Sequence, residues 1–306
     1  MSTGFINHPD FLLHEMGLHH PESPDRLRVI EDQLILSRLD QFLVRLEPSL
    51  ASEEQLELVH SPEMIALLRD HQPSSGYFEI DGDTYMNPNS YQTALRAAGS
   101  GITAVDAVMS GHVNNVFCAV RPPGHHAEPN RSMGFCLFNN MAIAARYALE
   151  KYKLNRIALI DFDVHHGNGT EKAFEYDPQV LMCGIYQHPF YPYSGGQEHD
   201  NMINIPVPAY TNGVKIRDII KNKWLPKLHD FQPEFIFISA GFDAHKEDDL
   251  GQLGLVEADY IWITEQIMNV AALYAQGRIV SCLEGGYNLS ALARSVAAHI
   301  KTLASI

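Results

Sequence analysis

Residues 156–169, RIALIDFDVHHGNG, indicate how this chain folds. The first five, RIALI, are almost all apolar, which is typical of a parallel strand covered on both faces. A polar cluster follows at once, with Asp161, Asp163 and His165 two residues apart. An extended chain points such residues to one side. We therefore predict a buried strand that presents functional side chains at its carboxyl end.

The same design repeats along the chain. Further strands are predicted at residues 115–120 (NVFCAV), 180–185 (VLMCGI), 234–239 (EFIFIS) and 278–283 (RIVSCL). Helical patterns lie among them at residues 140–153, 213–229 and 257–275. This alternation predicts a doubly wound, mostly parallel sheet. The first hundred residues are predicted to be mostly helical, with helices starting at Ser61-Pro62 and at Asn87-Pro88-Asn89.

The organisation of the chain indicates one domain spanning residues 1–306. It contains no long linker, low-complexity tract or internal repeat. No apolar run reaches the roughly 18 residues of a membrane span, and we expect no secretory signal at the N-terminus. None of the four cysteines forms a CxxC pair, and three lie in predicted strands. A reduced, cytoplasmic setting fits best.

The charge balance is strongly acidic. Lys and Arg number 22 against 37 Asp and Glu, which gives a formal net charge of −15. Phosphate backbones repel such a surface, so we expect no direct nucleic-acid binding. The same field would attract cationic substrates, although the charge is also explained by solubility alone.

Four of the five predicted strands run into residues with catalytic chemistry. These follow at 121–126 (RPPGHH), 161–167 (DFDVHHG), 240–245 (AGFDAH) and 284–288 (EGGYN). Ligands of open α/β sheets bind outside the carboxyl ends of the strands, so these segments should converge. Asp163, His165 and Asp243 would supply one nitrogen and two carboxylate ligands. Three protein ligands with an open position are typical of catalytic zinc, and a site without thiolates also admits ferrous iron.

Each of these features alone also has a structural explanation. Asp243 is by itself more often a helix N-cap, the His125-His126 pair is as often a packed loop, and Gly285-Gly286 is usually a turn. Their joint occurrence at four strand ends favours a functional site.

At these residues the chain resembles the histone-deacetylase superfamily, which includes acetylpolyamine amidohydrolases and acetoin-utilisation proteins. The likeness spans essentially the whole chain and is closest to class II enzymes and their bacterial relatives. The matching motifs are HHPESPDRL (19–27), RPPGHHAEPNRSMGFCLFNN (121–140), IDFDVHHGNGT (160–170), SAGFDAH (239–245) and LEGGYN (283–288). The resemblance implies the arginase/deacetylase fold, a three-layer α/β/α sandwich.

The resemblance also implies roles for individual residues. Zn²⁺ would be bound by Asp163, His165 and Asp243. His126 would act as general base and then general acid, with His125 as its electrostatic partner held by Asp161. Tyr287 would donate a hydrogen bond to the acetyl carbonyl. A structural K⁺ would bind main-chain oxygens around Asp161, Asp163 and His165.

Further implied contacts surround the substrate. The substrate-binding residues would be Gly134, Phe135, Phe190, Tyr191, Gly286 and Asp83. Gly134 and Phe135 form one wall of the tunnel, with Phe190 or Tyr191 opposite, while Asp83 either contacts the substrate main chain or is an ordinary turn residue. Arg26 would line the cavity below the metal.

The loop at 245–254 departs from the Gly-Asp-Pro pattern of class II members and matches it only loosely at Asp249-Leu250-Gly251. Its acidic residues 247–249 would narrow the entrance as an acidic gate, or would simply be solvated.

The predicted function is zinc-dependent removal of acetyl or related acyl groups from acetyl-lysine in proteins or peptides. The alternative is deacetylation of an acetylpolyamine or another small amide by the same machinery. A non-catalytic acyl-lysine binder is disfavoured because all the implied catalytic residues are present. A binuclear manganese ureohydrolase would need more metal ligands than these three.

Overall fold

The structure, a computed structural model, describes residues 2–196 and 199–306. Its strands are β1 (Thr3–Ile6), β2 (Leu43–Arg45), β3 (Phe78–Asp81), β4 (Thr84–Met86), β5 (Asn115–Cys118), β6 (Ile157–Asp161), β7 (Val180–Gln187), β8 (Met202–Val207), β9 (Phe235–Ala240) and β10 (Ile279–Leu283).

Its α-helices are α1 (Asp25–Leu36), α2 (Glu53–Leu56), α3 (Pro62–Asp70), α4 (Ser90–Met109), α5 (Asn140–Tyr152), α6 (Asn168–Phe174), α7 (Gly213–Ile219), α8 (Leu225–Phe231), α9 (Glu257–Tyr274) and α10 (Leu289–Leu303). Short 3₁₀ helices lie at Pro9–Leu12 and Leu39–Phe42, and a π-helical turn at Ile220–Trp224 joins α7 to α8.

The central sheet has eight strands in the order β2-β1-β5-β10-β9-β6-β7-β8, and all its pairings are parallel. The strands β5, β10, β9 and β6 are consecutive neighbours at its centre. These are the four strands predicted to run into polar clusters. Because parallel strands end at the same edge, this order brings the four clusters together.

The helices pack in two groups. The helix α10 contacts both α1 and α9, while α4 packs against α5. The six inner strands of the sheet are buried throughout, and Leu159, Phe237 and Val280 have essentially no exposed surface. Burial on both faces explains the continuous apolar runs. The predicted mostly parallel α/β/α sandwich is confirmed.

The five predicted strands are present as β5, β6, β7, β9 and β10, with ends shifted by at most two residues. Two predicted helices correspond to α5 and α9, and the third is divided among α7, the π-helical turn and α8. Helix starts are also confirmed. The Ser61 side chain accepts a hydrogen bond from Met64 N at the start of α3, and α4 begins directly after Asn89.

The prediction that the first hundred residues are mostly helical is incomplete. In this region β1 and β2 join the central sheet, and β3 pairs with β4 in a separate hairpin. The edge strand β8 was also missed. These strands have three to six residues, too short for a clear period, and β8 contains Pro206, which an edge strand tolerates. The four cysteines are free and buried, and no helix in the described ranges is long and apolar enough to cross a membrane.

Candidate metal centre and substrate cavity

The side chains of Asp163, His165 and Asp243 meet at the carboxyl ends of β6 and β9. Their potential ligand atoms all lie within 4.8 Å of one another. His165 Nδ1 is 2.9 Å from Asp163 Oδ1 and 3.3 Å from Asp243 Oδ2. The three predicted metal residues thus form one cluster.

The composition of this cluster fits a divalent cation. Asp243 Oδ2 is buried and makes no hydrogen bond within the protein, while Oδ1 of the same carboxylate accepts one from Val164 N at 2.9 Å. Burial and the nearby Asp163 carboxylate raise the pKa of Asp243. Such an orphaned oxygen is costly unless a ligand satisfies it. Two carboxylates and one imidazole are a donor set suited to zinc or ferrous iron.

The neighbouring backbone is shaped around these carboxylates. Asp163 Oδ2 accepts a hydrogen bond from Gly285 N at 2.8 Å, and Asp163 Oδ1 accepts one from His165 N at 2.9 Å. A Cβ atom at Gly285 would collide with the carboxylates of Asp243 and Asp163. This close approach, rather than an ordinary turn, explains why a glycine occupies position 285.

The two adjacent histidines have different partners. His125 Nδ1 lies 3.0 Å from Asp161 Oδ2, whereas His126 Nδ1 lies 2.8 Å from Asn168 Oδ1. Burial disfavours the charged form of His125, but the Asp163 and Asp161 carboxylates outweigh it and raise the pKa of His125. Burial, reinforced by His125 and His165, lowers the pKa of His126. One ring is therefore suited to carry charge and the other to stay neutral.

The tautomer of His126 follows from its amide partner. Asn168 Nδ2 donates to Glu128 Oε1 at 2.7 Å, which leaves Asn168 Oδ1 as the acceptor facing His126. His126 must then carry its proton on Nδ1 and keep a free lone pair on Nε2. A neutral imidazole with a free nitrogen is able to take a proton from a water molecule.

A cavity of about 280 Å³ leads to this cluster. It is lined by Asp83, His126, Gly134, Phe135, His165, Phe190, Tyr191, Asp249, Leu250 and Tyr287. Phe190 lies flat on the His165 ring with centroids 5.4 Å apart, and Tyr191 meets His126 edge-on at 5.3 Å. Both candidates for the second wall therefore line the cavity, as does Asp83.

The opposite wall depends on an unusual turn. Gly134 and Phe135 both have left-handed backbone conformations, with φ of 58° and 67°. A Cβ atom at Gly134 would lie 2.6 Å from the His126 ring, so no other residue fits there without displacing that histidine. This turn orients the Phe135 side chain so that its ring centroid lies 5.8 Å from that of Tyr287.

Tyr287 lines the cavity with its ring under the Arg26 guanidinium, 4.9 Å from the ring centroid. Burial raises the pKa of Tyr287, so its hydroxyl stays protonated and can donate a hydrogen bond. Gly286, predicted to bind substrate, is not among the lining residues. Its carbonyl instead accepts a hydrogen bond from Arg26 Nε at 2.7 Å, which places Arg26 behind the loop that carries Tyr287.

The acidic loop is neither a continuous gate nor fully solvated. Glu247 is exposed and pairs with Arg294, Asp248 is buried, and Asp249 is exposed where it lines the cavity mouth. In the sequence these three residues share only their charge. Their burial could not be predicted, because a loop has no period from which the buried positions follow.

Sequence reasoning also missed residues that hold the site in place. Glu284 Oε2 accepts hydrogen bonds from Gly124 N (2.7 Å) and His125 N (3.1 Å), so it supports the loop that carries His125 and His126. His166 Nδ1 lies 2.8 Å from Ser194 Oγ, which ties the segment after Tyr191 to the metal-binding segment. Glu284 and His166 both stand inside the quoted motifs, but nothing in their spacing indicates these partners.

The chain is similar to known proteins over nearly its whole length. The family described as the histone deacetylase domain matches residues 20–303. A probable deacetylase of Archaeoglobus fulgidus is 37% identical over 94% of this chain and 82% of its own length. Human polyamine deacetylase HDAC10 is 36% identical over 99% of this chain, which spans 48% of that protein. A crystal structure of the HDA15 HD domain matches 99% of this chain and 88% of its own, with a TM-score of 0.94 at 33% identity.

Proposed function

The chain belongs to the histone deacetylase family and is a deacetylase, and we propose that it hydrolyses acetyl-lysine amides of peptides or proteins with a zinc ion held by Asp163, His165 and Asp243. The observation that carries the proposal is the orphaned, buried Asp243 Oδ2 beside a second carboxylate and an imidazole. His165 of this cluster lines the same cavity as His126 and Tyr287, so the ligand set adjoins two proton-handling groups.

Zinc bound there would polarise the acetyl carbonyl and lower the pKa of a water molecule to about 7. Ferrous iron suits the same ligands. A structural K⁺ at main-chain oxygens around Asp161, Asp163 and His165 is proposed on the family resemblance alone.

His126 is the proposed general base. Its Nδ1–H is committed to Asn168 Oδ1, so Nε2 is the atom that takes the proton from the attacking water. The same nitrogen then gives this proton to the departing lysine amine as the amide C–N bond breaks. His125, paired with Asp161, holds positive charge next to His126 and keeps that ring from being protonated before substrate arrives.

Tyr287 is the proposed donor to the carbonyl oxygen. Its high pKa keeps the proton on the hydroxyl, and the ring is held between Phe135 and Arg26. The hydrogen bond strengthens as negative charge develops on that oxygen, and loss of such a donor costs about 10²–10³ in rate. The aromatic walls formed by Phe135, Phe190 and Tyr191 suit the apolar stem of a lysine side chain.

The test is hydrolysis of a fluorogenic acetyl-lysine peptide by the purified full chain. Activity should disappear with chelator, return with zinc and be lost in Asp163→Ala. Tyr287→Phe should retain bound zinc but lose about 10²–10³ in kcat. Glu247→Gln, an exposed change elsewhere, should behave as wild type. A zinc-loaded wild type that binds the peptide without cleaving it would refute the proposal in favour of an acyl-lysine binder.

A second substrate class is favoured by one observation. Asp83 and Asp249 both line the cavity, where their negative charge would attract the distal ammonium groups of an acetylated polyamine. The similarity to a polyamine deacetylase supports the same alternative. Comparing kcat/KM for acetylspermidine and for a neutral acetyl-lysine peptide separates the two. Asp249→Asn should lower only the acetylspermidine value if polyamines are the substrates.

We further propose that residues 1–306 form one catalytic domain that acts in the cytoplasm without binding nucleic acid or membrane. The acidic net charge and the reduced cysteines support this proposal.

A further inference from the structure

One buried carboxylate joins the loop after Asp243 to the loop that carries Tyr287. Asp248 is 5% exposed. Its Oδ2 accepts hydrogen bonds from Tyr287 N at 2.6 Å and Asn288 N at 2.9 Å. Its Oδ1 accepts one from Leu250 N at 3.0 Å. The two loops follow different strands, β9 and β10, and Asp248 and Tyr287 are 39 residues apart in the sequence.

These contacts fix the main chain at Tyr287 itself, next to two glycines that are held by other bonds: Gly285 N donates to Asp163 Oδ2 and the Gly286 carbonyl accepts from Arg26 Nε. Gly285 and Gly286 precede Tyr287, and Gly286 has a φ of +122°, a conformation that hardly restricts a glycine but is strained in other residues. The ring contacts of Tyr287, with Phe135 and with Arg26, are to its faces and edge. The main-chain N–H of Tyr287 is bound by Asp248, so this carboxylate anchors the backbone from which the ring and its hydroxyl extend.

The Asp248 carboxylate is well suited to this task. Three N–H groups point at one charged group that is excluded from water, and hydrogen bonds to an ionised acceptor are roughly twice as strong as neutral ones. The carboxylate also lies at the start of α10, where a helix favours negative charge. The same side chain fixes Leu250 and Tyr287, which both line the cavity.

We propose that Asp248 is a positioning residue that holds the Tyr287 hydroxyl at the depth required for donation to the acetyl oxygen. This inference rests on the proposed role of Tyr287. Asp248 does not line the cavity, and its effect on kcat passes through Tyr287. Misplacing a catalytic group by about 1 Å costs on the order of 10² in rate.

The test is a double-mutant cycle on the zinc-loaded full chain with the acetyl-lysine peptide. In Asp248→Asn one carboxylate oxygen becomes an amide NH₂, which faces at least one N–H donor. We expect kcat to fall about 10- to 100-fold with KM changed less than about 3-fold. Tyr287→Phe should lose about 10²–10³. Asp248→Asn added to Tyr287→Phe should cost no more than about 3-fold further, because the donor is already absent.

Two controls separate positioning from general damage. Glu247→Gln removes a neighbouring charge on the same loop and should leave kcat, KM and Tm unchanged. Asp248→Glu keeps the carboxylate at a longer reach and should recover part of kcat; it also serves if Asp248→Asn does not fold. Zinc content should equal that of the wild type in every variant.

The outcomes are distinguishable. Losses that multiply in the double variant, or a kcat of Asp248→Asn equal to wild type, would overturn the role of Asp248 while leaving that of Tyr287 intact. A Tyr287→Phe enzyme with wild-type kcat would overturn the proposed role of Tyr287 itself, and with it this inference.

Discussion

Two buried groups of charged residues lie near the same end of the sheet, and they are built in opposite ways. The first, here the arginine cluster, comprises Glu22, Arg26 and Arg121, all fully buried. Glu22 Oε1 accepts hydrogen bonds from Arg121 Nε and Arg26 Nη1, and Glu22 Oε2 accepts one from Arg121 Nη2 at 2.8 Å. The remaining donors reach main-chain carbonyls, among them those of Phe11 and Glu284. Each charged side chain of the arginine cluster therefore has hydrogen-bond partners within the protein.

The second group, the metal cluster of Asp163, His165 and Asp243, does not satisfy itself. Its carboxylates crowd together, and Asp243 Oδ2 has no hydrogen-bond partner. The comparison teaches how to tell a structural group of buried charges from a binding site. Where every buried charged group finds hydrogen-bond partners within the chain, the group is part of the fold; where carboxylates crowd together and one oxygen is left without a partner, the group is suited to hold a cation.

The largest expected effect breaks the arginine cluster. Glu22→Gln keeps the shape of the side chain but leaves two buried guanidinium groups without a counter-charge. Breaking a buried ion pair from one side typically costs 3–5 kcal/mol, so we expect the free energy of unfolding to fall by about that amount. Urea denaturation of the metal-free protein measures it.

The matched control for this substitution is Glu31→Gln. Glu31 also pairs with an arginine, Arg45, but this arginine is exposed. Solvent screens such pairs, so the loss should stay below about 1 kcal/mol. Equal losses at Glu22 and Glu31 would contradict the distinction between a closed buried cluster and an ordinary surface pair.

The next prediction tests the metal cluster, where removing a carboxylate should barely change the stability of the metal-free protein. Asp243→Asn relieves like-charge repulsion and keeps an oxygen for Val164 N, so the metal-free protein should change by no more than about 1 kcal/mol. Zinc at roughly 100 times its Kd should stabilise the wild type by about 2.7 kcal/mol and leave Asp243→Asn unaffected. Thermal melts with and without zinc give both values. A zinc-dependent rise in Tm in this variant would place the metal elsewhere.

The metal cluster was predictable from sequence and the arginine cluster was not, for a physical reason. Asp163, His165 and Asp243 come just after the ends of two strands, β6 and β9, which are parallel neighbours and so end side by side at one edge of the sheet. Arg121 and Glu22 are 99 residues apart, and their pairing depends on how the segment before α1 folds over the sheet. No period in the sequence records that path. The family resemblance placed Arg26 below the metal but gave it no partner.

The same distinction applies within the site. Phe135, which lies in a matched motif, lines the cavity, and so do Phe190, Tyr191 and Asp83, which lie outside the motifs; their roles toward the substrate stay predictions. Gly286 does not line it, because its main chain is turned toward Arg26. Asp248 was interpreted as a gate or a solvated charge, and its burial arises from the meeting of two loops. Contacts between loops are set by tertiary packing, which local patterns do not encode.

The smallest expected effect is a pH dependence that sharpens the comparison. Burial alone would raise the pKa of Glu22, but Arg121 and Arg26 outweigh it and lower that pKa from 4.5 to about 2. A carboxyl with a depressed folded pKa gives stability that is present above its unfolded pKa and is lost as pH falls toward the folded value. Between pH 7 and pH 4 the contribution of Glu22 to the free energy of unfolding should therefore decrease by about 1 kcal/mol.

Urea denaturation of metal-free wild type and Glu22→Gln at both pH values measures this change. The gap in the free energy of unfolding between the two proteins should be narrower at pH 4 than at pH 7. Buried His14, whose pKa burial lowers to about 3, also destabilises the fold in acid. Its Nε2 lies 3.8 Å from Glu22 Oε2, and loss of that carboxylate only lowers the pKa of His14 further, so His14 stays neutral in the folded form of both proteins down to pH 4. A gap that stays constant from pH 7 to pH 4 would mean that Glu22 is not held ionised by the two arginines.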